Sequence, residues 1–474
     1  MKNSEKVENN YYLENSLFFF RNNVKKRLNF LKKKNFLFSE ISGFINNCIS
    51  NSKKILILCA GNSLISKNLN SSEINIKEIS DDYKINYNDK LRYHTQVSDL
   101  LVSECDNVII ADIEHQLNPA KNLLDLSNKI NDDARIIILS KNLIWMILIK
   151  ILKYLFGFSP KKNNFLPSSY LYNLYTSCNL EIVRTERIIA MPIYIPLITN
   201  FVNKLFRLPI LNIFCVSSIT ILKKMRKTVK NNNNQIVSII IPCKDEGKNI
   251  PLFSDQLSNL SNNYELLFGD DKSKDNTKNE ITKLSQKHKN FKIIQYDGPG
   301  ICKSENVYKG IDIANGEIII IYDADLTVDF KDINFALEIL RNTNTDFINC
   351  TRMIYPQKNK AMKILNFFGN SFFAILFSIL FKKKITDTLC GTKIFYKKHW
   401  AKIKIDNGKW GAQDLWGDFD LLIGAYKNNL KINEVPVVYY ERKEGETKMT
   451  SLFSNTIRMF WIVISAYYKL RLKK

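Results

Sequence analysis

From Lys53 onward the chain alternates short apolar runs with polar stretches long enough to be helices: ILILC (55–59), NVIIAD (107–112) and RIIILS (135–140). That alternation predicts parallel βαβ units. A polar, structure-poor stretch, KKMRKTVK followed by Asn231 to Asn234, then gives way at once to a second series: VSIIIP (237–242), YELLFGDD (264–271), KIIQYD (292–297) and GEIIIIYDAD (316–325). Continuous apolar strands predict a sheet covered on both faces. The pattern therefore reads as α/β, with two doubly wound domains at 51–228 and 236–450 joined by a linker at 229–235.

Other stretches carry helical rather than strand periodicity. In the N-terminal segment 1–50, Leu17, Phe20, Val24, Leu28 and Leu31 recur at three- and four-residue steps beside Arg21, Lys25, Lys26 and Arg27, which predicts an amphipathic helix with a basic face. Segments 143–158 and 188–221 are apolar but interrupted by Lys150, Lys153, Pro192, Pro196, Lys204, Arg207 and Pro209, so neither is a clean membrane span. Residues 364–381, with Lys382 to Lys384 after them, suit either a helix at an interface or a buried core helix. The C-terminal 451–474 repeats that character, with Phe453, Phe460 and Trp461 beside Arg458, Lys469 and Arg471, and suits an anionic membrane surface.

The 474 residues are enough for two domains, and 45% hydrophobic and 12% aromatic content with 16 Gly and 11 Pro excludes collagen-like, disordered and low-complexity chains. The net charge of +23 favours an anionic partner, although a chain this rich in Lys, Asn and Ile gains surface lysine from composition alone. Nucleic acid is not expected, because no recognisable module and no basic-aromatic platform is present. The nine cysteines are scattered without a CxxC pair, which predicts reduced thiols in a cytosol rather than disulfides or zinc. The start, MKNSEKVENN, is acidic where a signal peptide needs a basic region, so a cytoplasmic protein at the inner face of the membrane is expected.

Two strands of the second series end in acid: ELLF runs into Asp270 and Asp271, and IIIIY into Asp323-Ala324-Asp325. Ligands of open parallel sheets bind beyond the carboxyl ends of the strands, near the order reversal. With a period of two along an extended chain, Asp323 and Asp325 point the same way. Two converging carboxylates repel unless a cation joins them, and hard oxygen ligands select Mg²⁺ or Mn²⁺, which complete their shells with substrate phosphates. The combination predicts a nucleotide-diphosphate site. Asp387, Asp418 and Asp420 are candidate bases for an acceptor hydroxyl, the last two being same-side neighbours if extended; a lipid phosphate acceptor, already anionic, needs none.

From about Ile236 onward the chain resembles family-2 glycosyltransferases of the GT-A fold, particularly the polyprenyl- or dolichyl-phosphate sugar transferases. The residues that carry this are IIIPCKDEGKNI (239–250), DDKSKDNT (270–277), GPGICKSENVYKGIDIANGE (298–317), YDADLT (322–327), DTLCGTKIF (387–395), GDFDLLIGA (417–425) and EVPVVYYERKEGETK (434–448). The resemblance implies an inverting transfer of sugar from a nucleotide-diphosphate sugar to a lipid-linked acceptor in cell-envelope polysaccharide synthesis. It assigns Asp245, Glu246 and Asp270 to the nucleoside pocket, Asp323 to the ribose or diphosphate side and Asp325 to the metal. Arg442 and Lys448 flank Gly445 and are positioned in sequence to close over diphosphate or to bind acceptor phosphate. Lys272 stands where a glycine is usual, and Cys302 and Ser304 replace the common lysine-glycine pattern.

Residues ~50–225 resemble a class I methyltransferase, also Rossmann-like, through KILILCAGNS (54–63), CDNVIIADIEHQLNP (105–119) and ARIIILSKN (134–142). That resemblance implies S-adenosylmethionine bound by Gly61 and by Glu78 or Asp81. Only Gly61 remains of the glycines that such a loop uses to bring backbone close to its ligand. Two alternatives accompany the glycosyltransferase reading: a bifunctional methyl- and glycosyltransferase, and a non-catalytic membrane-surface scaffold for lipid-linked intermediates.

Overall fold

The apolar runs become strands of two seven-stranded sheets, one in each of the units into which the chain divides, Met1–Met225 with Arg471–Lys474 and Arg226–Leu470. The computed structural model describes residues 35–49, 53–58, 63–77, 91–94, 97–111, 113–115, 119–142, 166, 168–192, 194–208, 210–225, 235–257, 260, 263–355, 364–444 and 452–472.

In the first unit the strands are β1 (Lys54–Leu58), β2 (Glu73–Lys77), β3 (Leu91–Tyr93), β4 (Asn107–Ile110), β5 (Arg135–Lys141), β6 (Leu180–Ile188) and β7 (Ser217–Lys224), in the order β3-β2-β1-β4-β5-β7-β6. The helices are α1 (Asn35–Cys48), α2 (Asp99–Glu104), α3 (Pro119–Lys129), α4 (Ser168–Ser177) and α5 (Ile198–Leu205). The expected parallel βαβ units are present in β1, β4 and β5, and β7, which the pattern did not mark, runs antiparallel to both β5 and β6. An apolar run reads the same in either direction, and only the connections decide which way the strand points. Of the segment 1–50, the residues named for its amphipathic face lie outside the described residues, as does the stretch 143–158.

The second unit holds β8 (Val237–Cys243), β9 (Tyr264–Asp270), β10 (Lys292–Asp297), β11 (Ile318–Ile321), β12 (Phe347–Thr351), β13 (Lys393–Tyr396) and β14 (Ile432–Pro436), in the order β10-β9-β8-β11-β13-β12-β14. Its helices include α6 (Thr277–Lys287), α7 (Lys303–Ile313), α8 (Phe330–Asn342), α9 (Ile364–Phe381), α10 (Asp418–Lys427) and α11 (Leu452–Tyr467). Six strands run in one direction, and β13 alone of the seven is reversed, antiparallel to β11 and β12.

Isoleucine-rich strands fit this sheet because β-branched side chains pack well on a pleated surface. Their alternation serves both faces: Ile240, Ile319 and Ile321 join one apolar cluster, and Ile239, Ile241, Ile318 and Ile320 join the other. Fully burying each of them contributes about 1.5–3 kcal/mol. Residues 364–381 form a helix with one side in the core. α9 buries Phe373, Phe377 and Phe381 and leaves Phe368, Phe372 and Ile375 exposed. Among the described residues no helix is long and apolar enough to cross a membrane.

Candidate active site

The order of the second sheet reverses between β8 and β11, since the chain runs outward through β9 and β10 before returning to the other side of β8. Register places Cys243 beside Asp270 and Ile240 beside Ile321, so the acid-bearing strand ends lie together at this reversal. Asp270 is buried, and its Oδ1 has no hydrogen-bond partner among the described residues. Asp271 accepts from the Gly300 amide at 2.6 Å and so ties β9 to the loop before α7. Asp245 and Glu246 lie just beyond β8. Asp245 is exposed, takes a left-handed φ of 51° and accepts from the Lys274 amide at 2.6 Å, and Glu246 accepts from Asn249 at 2.7 Å. Lys272 is also left-handed, with φ 58°, which explains why a glycine suits that position.

Asp323 and Asp325 do not sit on an extended strand. β11 ends at Ile321, and the two acids lie in a turn that continues through Leu326 at φ 55°. They come together nonetheless, each with a cation. Lys303, on the first turn of α7, ion-pairs with Asp323, and Arg442 Nε lies 2.9 Å from Asp325 Oδ2. Thr327 donates its hydroxyl to Asp325 at 2.9 Å. Burial works to raise the Asp323 carboxyl, but Lys303, Arg352 and Arg442 outweigh it and hold it below the usual range. Asp325 is raised, first by burial and then by the neighbouring charge of Asp323. Gly391 makes room for this pair, because a Cβ there would collide with the Asp323 carboxylate.

The three candidate bases separate. Asp387 is fully buried and holds Arg352 through two charged bonds of 2.8 and 3.0 Å. It also accepts from Asn370 at 2.8 Å and from the amides of Arg352 and Leu389 at 3.0 Å. Burial alone would raise it, but the guanidinium draws it down to about 2. A carboxylate so fully occupied anchors Arg352 and is no base. Asp418 and Asp420 are not extended same-side neighbours, since both fall in the first turn of α10, where two positions apart means nearly opposite faces. Asp418 Oδ1 lies 3.1 Å from Lys393 Nζ. Its pKa is raised by burial, against the pull of Lys393 and Lys303, and it feels the charge of Asp323. Asp420 turns to Tyr308, whose hydroxyl donates to it at 3.2 Å, and to the Gly408 amide at 2.9 Å. Burial, and then Asp414, push it up to about 7. Asp414 itself accepts from the Phe419 and Asp420 amides at 2.7 and 3.0 Å and so caps α10.

The structure therefore brings Asp323, Asp325, Asp418, Lys303 and Arg442 into one electrostatic group, with Asp270 at the end of β9 on the other side of β8. Sequence reasoning passed over Lys303, Arg352, Lys393 and Asn370. Lys393 carried the clearest signal, a lysine opening an apolar strand; it is fully buried and bonds Cys390 O at 2.6 Å and Asn349 Oδ1 at 3.2 Å. Lys448, Gly61, Glu78 and Asp81 lie outside the described residues.

Residues 238–403 match the model of glycosyl transferase family 2. A dolichyl-phosphate β-glucosyltransferase of Trichomonas vaginalis is 23% identical over 254 residues, which is 50% of this chain and 73% of that one. A dolichyl-phosphate β-glucosyltransferase of Dictyostelium discoideum is 27% identical over 255 residues, 49% of this chain and 74% of that one. Among solved structures, glucosyl-3-phosphoglycerate synthase from Mycobacterium tuberculosis, in complex with Mn²⁺, UDP and phosphoglyceric acid, aligns with a TM-score of 0.38 at 14% identity, covering 50% of this chain and 79% of that one. The protein carries a family 2 glycosyltransferase domain and is a transferase.

Proposed function

We propose that this domain moves a sugar, with inversion, from a nucleotide-diphosphate sugar to a lipid-linked acceptor, a polyprenyl phosphate or a glycan carried on one, in cell-envelope polysaccharide synthesis. It does so at the inner face of the cell membrane, whose anionic surface is its partner. One observation carries this reading: Asp323 and Asp325, each already matched to a cation, meet at the order reversal of the second sheet. The unpartnered Oδ1 of Asp270 supports a nucleoside there, as a buried acceptor open to a ligand N–H or O–H. The two dolichyl-phosphate relatives support a lipid-linked acceptor.

Two hard carboxylates suit Mg²⁺ or Mn²⁺. An ion held by so few protein carboxylates would take the rest of its shell from diphosphate. When bound, such an ion neutralises charge on the departing diphosphate. Lys303 holds Asp323 in place. Arg442, with Lys448, binds diphosphate or acceptor phosphate. Asp418 takes the proton when the acceptor is a hydroxyl.

Asp325→Ala tests the assignment. Nucleotide-sugar turnover falls by about 10²-fold or more, and Mn²⁺-dependent nucleotide binding is lost; turnover at the wild-type rate rejects it.

A methyltransferase-like first unit is supported by its doubly wound sheet, reversed between β1 and β4 and carrying antiparallel β7. A rise in the melting temperature of the full chain with S-adenosylmethionine tests it.

A further inference from the structure

α9 and α11 pack side by side, with Phe372 of one stacked on Phe460 of the other at 6.4 Å between ring centroids. Their inner faces enter the core through Phe373, Phe377, Met459 and Ile462. Their outer faces do not. Phe368 is 64% exposed, Ile375 60%, Phe453 81% and Trp461 56%, with Phe372 and Ile457 between them. Large apolar side chains gathered on two adjoining helices mark an interaction site, because monomeric surfaces seldom carry such continuity.

Charge selects the occupant. Neither helix contains an Asp or Glu, although the chain has 46, while Arg458 lies within α11 and Lys382 to Lys384 follow α9. A second copy docked by a two-fold axis sets the patch against itself, cation facing cation with no acid between. An anionic bilayer answers both halves of the surface: aromatic rings enter the headgroup boundary, and Lys and Arg meet lipid phosphates. We infer that the joined outer face of α9 and α11 is the surface by which the protein lies on an anionic bilayer. This rests on the membrane reading above and gives it a location. α9 also reaches the acidic site from within, because Asn370 on its buried side bonds Asp387, the anchor of Arg352. One helix thus borders both lipid and the network beside Asp323, which brings a lipid-borne phosphate toward the acidic site.

The test uses full-length protein and phosphatidylcholine vesicles with and without phosphatidylglycerol. The wild type sediments with the anionic vesicles, and less as salt rises. The double variant Phe368→Glu with Trp461→Glu loses at least about tenfold in vesicle partition. Phe335→Glu, which alters an exposed ring on α8, keeps it. Nucleotide diphosphate binding, measured without vesicles, stays at the wild-type value in all three, so failure of the donor reading shows separately from failure of this one. Should the double variant lose its fold, Phe453→Ser, at the most exposed of these positions, replaces it and carries the same expectation. Vesicle binding that survives these substitutions overturns the inference. So does a wild type that ignores vesicles and forms a dimer which the substitutions dissolve.

Discussion

Arg442 Nε sits 2.9 Å from Asp325 Oδ2, so a guanidinium fills the place beside the carboxylate that a divalent ion would need. Arg442→Gln removes this competitor. Mn²⁺ without nucleotide then binds about tenfold more tightly, whereas affinity for nucleotide diphosphate in the presence of Mn²⁺ falls. Titration calorimetry of the two proteins reads both changes, and equal Mn²⁺ affinities refute the competition.

Asp418 and the acceptor can be separated by one substitution. With a hydroxyl acceptor, Asp418→Asn lowers kcat by about 10²–10⁴-fold, the usual worth of a positioned base. With a polyprenyl phosphate, kcat stays within about tenfold, because the nucleophile is already ionised. Steady-state rates with the two acceptor classes check this.

At Gly391 the Asp323 carboxylate occupies the space that a Cβ would take. Gly391→Ala displaces that carboxylate and lowers turnover by about tenfold or more. The melting temperature changes little. A Gly391→Ala enzyme with normal kcat/KM shows that Asp323 need not stand where it does.

Arg352 and Asp387 form a buried pair, and removing one member leaves the other charge uncompensated. Arg352→Met costs about 3–5 kcal/mol in urea unfolding. With the Asp387 carboxyl held at about 2, the pair's stabilisation is complete above the unfolded value near 3.8 and is lost as pH falls through about 2.

Asp420 gives the opposite sign. Its proton stays on up to about pH 7 in the fold, while the unfolded chain releases it near 3.8. Stability therefore falls as pH rises between those values, by about 4 kcal/mol at the upper limit. Asp420→Asn removes that slope and raises the melting temperature at pH 8 relative to wild type. A pH series of melting curves on both proteins measures it.

Half of the strands, β1, β4 and β5 of the first sheet and β8 to β11 of the second, were legible in residue order, as were the acids at the ends of β9 and β11 and the apolar, acid-free character of α9 and α11. Hydrophobic period and strand-end chemistry are local, and a chain carries local information directly. The antiparallel β7 and β13 were not legible, because their short runs carried no signal of their own and their direction is set by connections across the sheet. The pairing of Asp323 with Lys303, of Asp325 with Arg442 and of Asp418 with Lys393 joins residues 20, 117 and 25 positions apart. Asp387, Asp418 and Asp420 looked alike as acids. Only the folded chain made one an anchor drawn down by a guanidinium, one a buried carboxylate paired with Lys393 and one a buried acid near neutrality, because a carboxyl's chemistry is set by its surroundings in space rather than by its neighbours along the chain.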